Sequence, residues 1–379
     1  MKRLNSIDIL RALAIILMVQ VHFVGNLAYW FPAQAALYDL SFLFGGLAAP
    51  SFTLLVGASL WISNNRRRAE GVPERAIAAH TFRRALVIFV VGLIFNLIIW
   101  GPEELFDWDI LTFIGSAIVV VYLIRRLPDW AIVGLCVAIL AASPPLREWT
   151  GYGSHWLSQR GNYTEYVVPW RANEILLGYT LHGYFPLLPW LVFPLAGYVS
   201  ARHLLGAEEH LRKRRARSLL AFGGVLGLLG LGAHLAGFGL EGPLAFYLSP
   251  STFYPVSTSF VLLTLGVVLA GFAGLWLALD GDEARRAAAS RRDWMAFFGR
   301  YSRYALTVYV LHHALHLWPM YVAGLAQGDV WFYWQDWVTP AGALGLAALF
   351  LAACYVMLLG WDKARRTGSL EWLLARAVG

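Results

Sequence analysis

Two ionisable side chains lie inside the first long apolar segment of the sequence. Arg11 and His22 are eleven residues apart, a spacing that returns almost to the same helix face about 16 Å further along the axis. Ionisable side chains are costly in hydrocarbon and mark a functional site there by default. Such a pair could bind an anion near the membrane surface and move a proton near the membrane centre. The alternative is that Arg11 anchors the helix at the membrane interface and that His22 forms a hydrogen bond to a neighbouring helix.

A second group of histidines, His312, His313 and His316, occupies a later apolar segment at a depth similar to that of His22. His312 and His316 share a helix face, and His313 is expected to point elsewhere. Three interpretations compete for these histidines. The first is a metal site, but the Glu of a His-Glu-x-x-His pattern is absent, so we expect no metal. The second is structural hydrogen bonding across helices. In the third, His312 or His313 assists His22 as a general base, which acyl transfer requires.

The arginines at a predicted cytoplasmic helix end, Arg83 and Arg84, lie at the same depth as Arg11. They are either topology anchors or a phosphate clamp, since guanidinium groups match phosphate oxygens in pairs. Arginines at the predicted cytoplasmic face and a His deeper in the membrane suit a long acyl donor. Its phosphorylated head would bind the arginines and its reactive far end would reach the His. No Gly-x-Ser-x-Gly elbow or suitably placed Cys is present. Direct transfer is therefore simpler than a Ser- or Cys-bound intermediate, with a transient acyl-His as the alternative.

One predicted outer segment, residues 145–184, interleaves aromatic rings with charged side chains. This composition suits stacking and hydrogen bonding to a sugar, or else an interfacial loop with aromatic side chains at headgroup level. Three prolines between residues 184 and 194 predict a helix that is bent or broken. Our candidate acceptor-binding residues are Trp156, Trp170, Arg171 and Trp190.

Composition indicates a membrane protein: 59% of the 379 residues are hydrophobic and only 14% are charged. A soluble domain rarely has such a composition. The net charge of +7 is explained by where the basic residues lie, so we expect no nucleic-acid partner. Apolar runs predict an all-α polytopic fold with about ten transmembrane helices, at residues 9–31, 38–63, 82–100, 109–124, 129–144, 185–203, 218–238, 255–279, 303–321 and 338–360.

The basic residues alternate between the predicted loops. All of the 30 Lys and Arg except Arg147, Arg160 and Arg171 fall on one predicted side of the membrane. The positive-inside rule then places both termini in the cytoplasm. We therefore predict a single membrane-embedded domain over residues 1–379, in the inner (plasma) membrane. The oligomeric state stays open, and a homo-oligomer is compatible with the sequence.

Several short motifs resemble those of the transmembrane acyltransferase superfamily. Arg11 and His22, with the preceding residues 6–10, resemble the Arg-x10-His signature of the acyltransferase-3 branch. Four further segments resemble the bacterial relatives of heparan-α-glucosaminide N-acetyltransferase: residues 48–59, 82–84, 185–190 and 308–313. The order of these motifs and their membrane placement carry the resemblance, which extends from the first helix to the ninth.

The resemblance implies ten or eleven helices and an acyl-CoA donor, usually acetyl-CoA, that enters from the cytoplasm. The acyl group would pass to a hydroxyl or amine of a sugar-containing or lipid-linked acceptor. His22 would lead the catalysis, and Arg11, Arg83 and Arg84 would lie near the coenzyme. The chain departs from the heparan-type pattern, because residues 29–34 contain no His where those enzymes carry an active-site His. A transporter or flippase for an anionic or lipid-linked substrate is the alternative function.

Overall fold

A computed structural model describes residues 3–29, 31–152, 156–158, 164–167, 170–328 and 338–379. Most of these residues are helical, and one short antiparallel hairpin pairs β1 with β2, Trp156 opposite Tyr166. The helices and strands are α1 Asn5–Leu27, α2 Ala35–Gly45, α3 Ala48–Ala69, α4 Glu74–Ile99, α5 Ile110–Ile124, α6 Asp129–Trp149, β1 Trp156–Ser158, β2 Thr164–Tyr166, α7 Ala172–Leu177, α8 Leu187–Trp190, α9 Val192–Leu205, α10 Glu209–Ala236, α11 Thr258–Leu279, α12 Glu283–Ser290, α13 Asp293–Arg303, α14 Ala305–Gln327, α15 Pro340–Lys363 and α16 Leu370–Val378.

The predicted fold class, an all-α polytopic membrane protein, is confirmed. Eight helical stretches of the described residues are long and apolar enough to cross a membrane, and a shorter apolar helix is α5. A helix of about 20 apolar residues spans the hydrocarbon core, because each residue adds 1.5 Å. Each of the ten predicted apolar runs overlaps one or more helices. The number of spans and the cytoplasmic placement of both termini stay predictions.

The proline-rich segment breaks its helix, as the sequence predicted. A π-helical stretch, Gly178–His182, follows α7, and Leu188 has extended backbone angles (φ −107°, ψ 123°) inside α8. Proline lacks the backbone donor that a continuous helix needs, so the chain enters α9 at a new angle. The predicted run 38–63 is also divided, because α2 ends at Gly45 and α3 begins at Ala48.

Contacts divide the chain into two compact units, which we call the terminal unit (Leu4–Ser51 with Glu283–Ala377) and the central unit (Phe52–Asp282, with Arg3 and Val378–Gly379 among the described residues). The single domain over residues 1–379 stays a prediction. In the terminal unit, α1 packs against α2, α13, α14 and α15. Helix α2 approaches closely: a Cβ added at Gly45 would lie 2.3 Å from the Cβ of Val21.

In the central unit, small residues let helix backbones touch. A Cβ at Gly57 of α3 would lie 1.8 Å from the carbonyl oxygen of Pro194 in α9, and one at Gly197 would lie 2.0 Å from that of Leu54. Helices α10 and α11 meet in the same way at Gly230. Helix packing in membranes depends on such close approach, because lipid supplies no hydrophobic drive for association.

Candidate functional site

Three histidines of the terminal unit converge where α1 meets α14. The ring centroid of His22 lies 5.1 Å from that of His312 and 4.6 Å from that of His313. His22 therefore packs against both consecutive side chains of α14, including His313, which helix periodicity alone places off the face shared by His312 and His316. His312 and His313 are buried (0% and 2% exposed), while His22 is only half-buried. Of these three residues, His22 keeps the largest exposed fraction.

Hydrogen bonds fix the direction of the proton in this cluster. Nδ1 of His312 lies 3.1 Å from the carbonyl oxygen of Val308, which can only accept, so Nδ1 carries the hydrogen and Nε2 the lone pair. Nε2 of His312 lies 2.9 Å from Nδ1 of His22. His22 therefore donates through Nδ1 and keeps its own lone pair on Nε2. This is the tautomer that a general base needs.

A second pair of contacts extends the cluster by one turn. His316 donates from Nδ1 to the carbonyl oxygen of His312, so its Nε2 accepts from the side-chain amide of Asn26, at 2.7 Å. His316 is 5% exposed. Asn26 lies four residues after His22 and so on the same face of α1. Sequence reasoning missed Asn26, although this spacing was the signal that could have found it.

The ring nitrogens of His22, His312 and His313 include one from each residue within 4.8 Å of one another. Three imidazoles at this spacing could share a metal ion with modest movement. The expected absence of a metal stays a prediction. In the structure, the nitrogens of His22 and His312 that face each other are occupied by their mutual hydrogen bond.

Arg11 faces the same side of α1 as His22, because it contacts α13 just before α14 begins. Its guanidinium donates to the hydroxyl oxygen of Ser302 at 3.1 Å. Ser302 in turn donates to the Asp8 carboxylate at 2.7 Å, and Asp8 is buried (6% exposed). This polar network fixes the orientation of Arg11, and sequence reasoning missed the part that Ser302 plays in it.

The other predicted coenzyme residues belong to the central unit. Arg83 and Arg84 lie in α4; the Arg83 side chain is exposed and the Arg84 side chain is half-buried. Arg83 pairs with no carboxylate among the residues that the structure describes. Two other arginines of this unit share one carboxylate, since Arg68 and Arg125 both contact Glu74, at 2.8 and 3.0 Å.

The predicted outer segment forms an aromatic cluster in the central unit. Trp156 is 9% exposed and packs among the rings of Tyr152, Tyr166, Tyr184 and Tyr254. Its indole nitrogen donates to the carbonyl oxygen of His182 at 3.0 Å. Burial raises the pKa of Tyr152 to about 12, so its phenol stays neutral. Arg160, one of the three basic residues predicted on the outer side, lies outside the described residues.

A buried arginine holds this cluster to the helices beneath it. Arg147 is 9% exposed and donates to the carbonyl oxygens of Leu181 (3.1 Å), Val256 (2.7 Å) and Leu188 (3.1 Å). Its guanidinium also lies 4.6 Å from the ring centroid of Tyr152. The planar fork of Arg can satisfy several separate carbonyls at once. Arg147 therefore ties the broken segment around α8 to α6.

The remaining predicted acceptor residues lie in different surroundings. Trp170 is 58% exposed and its indole donates to the carbonyl oxygen of Glu103 at 3.3 Å. Arg171 is exposed beside it. Trp190 is fully buried against Phe185, Phe193 and Phe253. Acceptor binding by Trp156, Trp170, Arg171 and Trp190 stays a prediction, and the structure presents only Trp170 and Arg171 of these four as exposed.

Comparison with protein families agrees with the motifs. Residues 3–232 match the model of the family described as heparan-alpha-glucosaminide N-acetyltransferase, catalytic. This match covers more than half of the chain. The chain belongs to this family. It is accordingly a multi-pass membrane acetyltransferase. No curated protein matches the chain.

The family match divides the histidine cluster of this acetyltransferase. The matched residues include His22, Arg11, Arg83 and Arg84, whereas His312 and His313 lie beyond residue 232. The α14 histidines are therefore connected to the site by their contacts with His22. The resemblance of Arg11 and His22 to the acyltransferase-3 signature stays a prediction.

Proposed function

We propose that this acetyltransferase moves an acetyl group from cytoplasmic acetyl-CoA to an amine or hydroxyl of a sugar-containing acceptor, with His22 as the general base. One observation carries the assignment: the hydrogen bond from His22 Nδ1 to His312 leaves the lone pair of His22 on Nε2. A neutral imidazole of this tautomer accepts a proton, which an amine or hydroxyl nucleophile must lose during attack. The family match favours this enzyme over the transporter alternative.

In the proposed reaction, His22 alone accepts the proton of the nucleophile and later gives it to the leaving group. As the acceptor nitrogen or oxygen bonds to the thioester carbonyl carbon, Nε2 of His22 takes the nucleophile's proton. The carbon–sulfur bond then breaks, and the imidazolium of His22 returns the proton to the departing sulfur of coenzyme A. His312 supports the transient positive charge because its Nε2 accepts from His22 Nδ1. His313, with its ring centroid 4.6 Å from that of His22, packs against the base.

Three arginines are proposed to bind the phosphates of the donor. Arg11 lies about 16 Å before His22 along α1, on the side that contacts Ser302. A pantetheine arm is long enough to separate a phosphorylated head from a reactive thioester, which suits this spacing. Arg83 is exposed and Arg84 half-buried on α4, in the motif that resembles the family. Guanidinium groups suit phosphate because they donate to two oxygens at once.

The acceptor is proposed to bind at the predicted outer segment. Trp170 and Arg171 offer an exposed ring and an exposed cation side by side, a combination that stacks on a sugar and donates to its oxygens. Trp156 and Trp190 would act through the packed aromatic surroundings that shape the segment. The proposed location is the inner (plasma) membrane with both termini in the cytoplasm, as a monomer or homo-oligomer.

The test is transfer of label from acetyl-CoA in the purified full-length protein. Wild-type protein in lipid nanodiscs should move radiolabelled acetyl to an amino-sugar or hydroxyl-sugar acceptor and release coenzyme A. His22→Ala should lower the turnover number by roughly 10²- to 10⁴-fold, the usual contribution of a general base. His210→Ala is the matched control, since His210 is exposed and lies outside the cluster.

Two results would contradict the proposal. Full activity in His22→Ala would remove the base assignment while leaving the family intact. Movement of an acceptor across sealed vesicles, with no acetylated product and no release of coenzyme A, would instead favour transport.

A further inference from the structure

The central unit contains a groove of about 300 Å³ between the end of α9 and the start of α10. It is lined by His203, Leu211, Arg214, Arg215 and Ser218. Two arginines, a histidine and a serine therefore line one small space, and no carboxylate is among its lining residues. Guanidinium groups donate but cannot accept, so two arginines with no carboxylate beside them suit an oxyanion.

The two lining arginines differ in how they are held. Arg215 donates to the carbonyl oxygen of His203 at 2.8 Å, which fixes its guanidinium against the groove wall. Arg214 is exposed and has no ion pair within the described part of the chain. Its neighbour Lys213, by contrast, pairs with Asp282 at 3.2 Å. The groove thus keeps one anchored and one available guanidinium.

The position of the groove along α10 sets its depth in the membrane. No charged residue occurs from Leu219 to Ala233, so the apolar part of the helix begins one residue after Ser218. Leu220 and Phe222 are 39% and 56% exposed, as expected of side chains that face lipid. The groove therefore lies where lipid headgroups meet the hydrocarbon, beside a lipid-facing helix surface.

We propose that this groove binds a phosphate ester group, supplied by the headgroup of an anionic membrane lipid. Basic pockets between transmembrane helices recognise lipid phosphates by this chemistry. Arg214 and Arg215 would donate to the phosphate oxygens, Ser218 would add a hydroxyl donor, and the acyl chains would continue along Phe222, one turn after Ser218 on the same helix face. The site uses none of the residues proposed for acetyl transfer, so neither proposal depends on the other.

The test compares two arginines of the same helix. Full-length protein in phosphatidylcholine nanodiscs is titrated with phosphatidylglycerol, and bound lipid is counted by native mass spectrometry while thermal unfolding is followed. Arg214→Gln should weaken phosphatidylglycerol binding roughly tenfold, because a charge-assisted hydrogen bond is lost. Arg217→Gln is the control: it removes the same charge from an exposed residue of α10 that does not line the groove.

A further variant tests the groove without changing charge. Ser218→Leu fills the space and should weaken phosphatidylglycerol binding as Arg214→Gln does. Inorganic phosphate and coenzyme A are added in separate arms. Stabilisation by these soluble phosphates that depends on Arg214, with none from lipid, would keep the phosphate site and assign its ligand to the cytosol. Equal behaviour of Arg214→Gln and Arg217→Gln, or no binding in any arm, would overturn the proposal.

Discussion

At the scale of single residues, the site depends on the order of hydrogen bonds through two imidazoles and one carbonyl. The Val308 carbonyl fixes the hydrogen of His312, and His312 fixes that of His22. Each of these two hydrogen bonds is weak by itself, but together they select one tautomer of His22. A carbonyl on α14 thereby determines which nitrogen of an α1 side chain is basic.

Replacing His312 tests this relay. His312→Leu removes the acceptor for His22 Nδ1, so we expect the turnover number to fall about 10²-fold or more, as for a general base that loses its orientation. The KM for acetyl-CoA should change little, since His312 is proposed to act through His22. His312→Gln retains an acceptor oxygen and should recover part of the activity. Leu and Gln variants of equal activity, or a change confined to KM, would contradict the relay.

Much of the residue-level site could be predicted from sequence. The depths of His22 and His312 follow from counting 1.5 Å per residue from the ends of their helices, and the two rings do meet. The orientation of His313 could not be predicted, because helix periodicity describes one helix and not where its neighbour packs. The spacing of four residues places Asn26 on the same helix face as His22, but it does not identify its partner His316, about 290 positions away in sequence. The hydrogen bond from Arg11 to Ser302 spans a similar separation and follows only from the folded chain.

At the scale of helices, close packing and buried hydrogen bonds hold the helices together, because the hydrophobic effect does not favour helix association within a membrane. Helices α10 and α11 touch through glycines, as a Cβ at Gly230 would lie 2.2 Å from the backbone nitrogen of Leu263. The opposite surface of α10 is apolar and exposed, with Leu228 at 69%. One face of this helix therefore packs on protein and the other faces lipid.

Alanine at two glycines of α10 should separate these faces. Gly230→Ala places a methyl group against the α11 backbone, so we expect a loss of roughly 1–3 kcal/mol from overpacking. Gly224→Ala has no atom within 4 Å of the new Cβ and should be neutral or slightly stabilising, because alanine favours helix. Thermal unfolding in one detergent measures both variants. Equal destabilisation by the two would contradict the assigned packing face.

The outer segment should depend on Arg147. Arg147→Lys retains the charge but cannot reach the carbonyls of Leu181, Val256 and Leu188 together. We expect a loss of about 2 kcal/mol for hydrogen bonds made by a charged group. Arg126→Lys is the control, since Arg126 is exposed and should tolerate the change. Chemical denaturation compares the two, and an Arg147→Lys protein as stable as the control would contradict the tie.

Element boundaries show where sequence reasoning succeeds and where it stops. Apolar runs predict membrane-spanning helices because side chains in the hydrocarbon core must be apolar. Prolines predict the break near α8 because they lack a backbone N–H donor. The division between α2 and α3 was not predicted, because residues 38–63 form one mainly apolar run, although Gly45 and Gly46 lie where α2 ends. The three carbonyls that Arg147 joins are up to 109 positions away in sequence, so that tie follows only from the folded chain.

At the scale of the whole molecule, the distribution of basic residues predicts which side of the membrane each loop occupies. Arg217 belongs to a predicted cytoplasmic segment and Glu148 to the predicted outer segment, and both are exposed. In a background with Cys136 and Cys354 replaced by Ala, Glu148→Cys in intact cells should react with an impermeant maleimide. Arg217→Cys should react only after the cells are opened. Labelling of both in intact cells, or the reverse pattern, would contradict the predicted orientation.

The central claim is that His22 performs proton transfer during attack on the thioester of acetyl-CoA. It is tested most directly by a cryo-electron microscopy map of the full-length protein in nanodiscs with coenzyme A bound. The account predicts the coenzyme thiol within roughly 3–4 Å of Nε2 of His22, with His22 still bonded to His312 through Nδ1. A thiol remote from His22, or a His22 ring turned towards lipid, would contradict it.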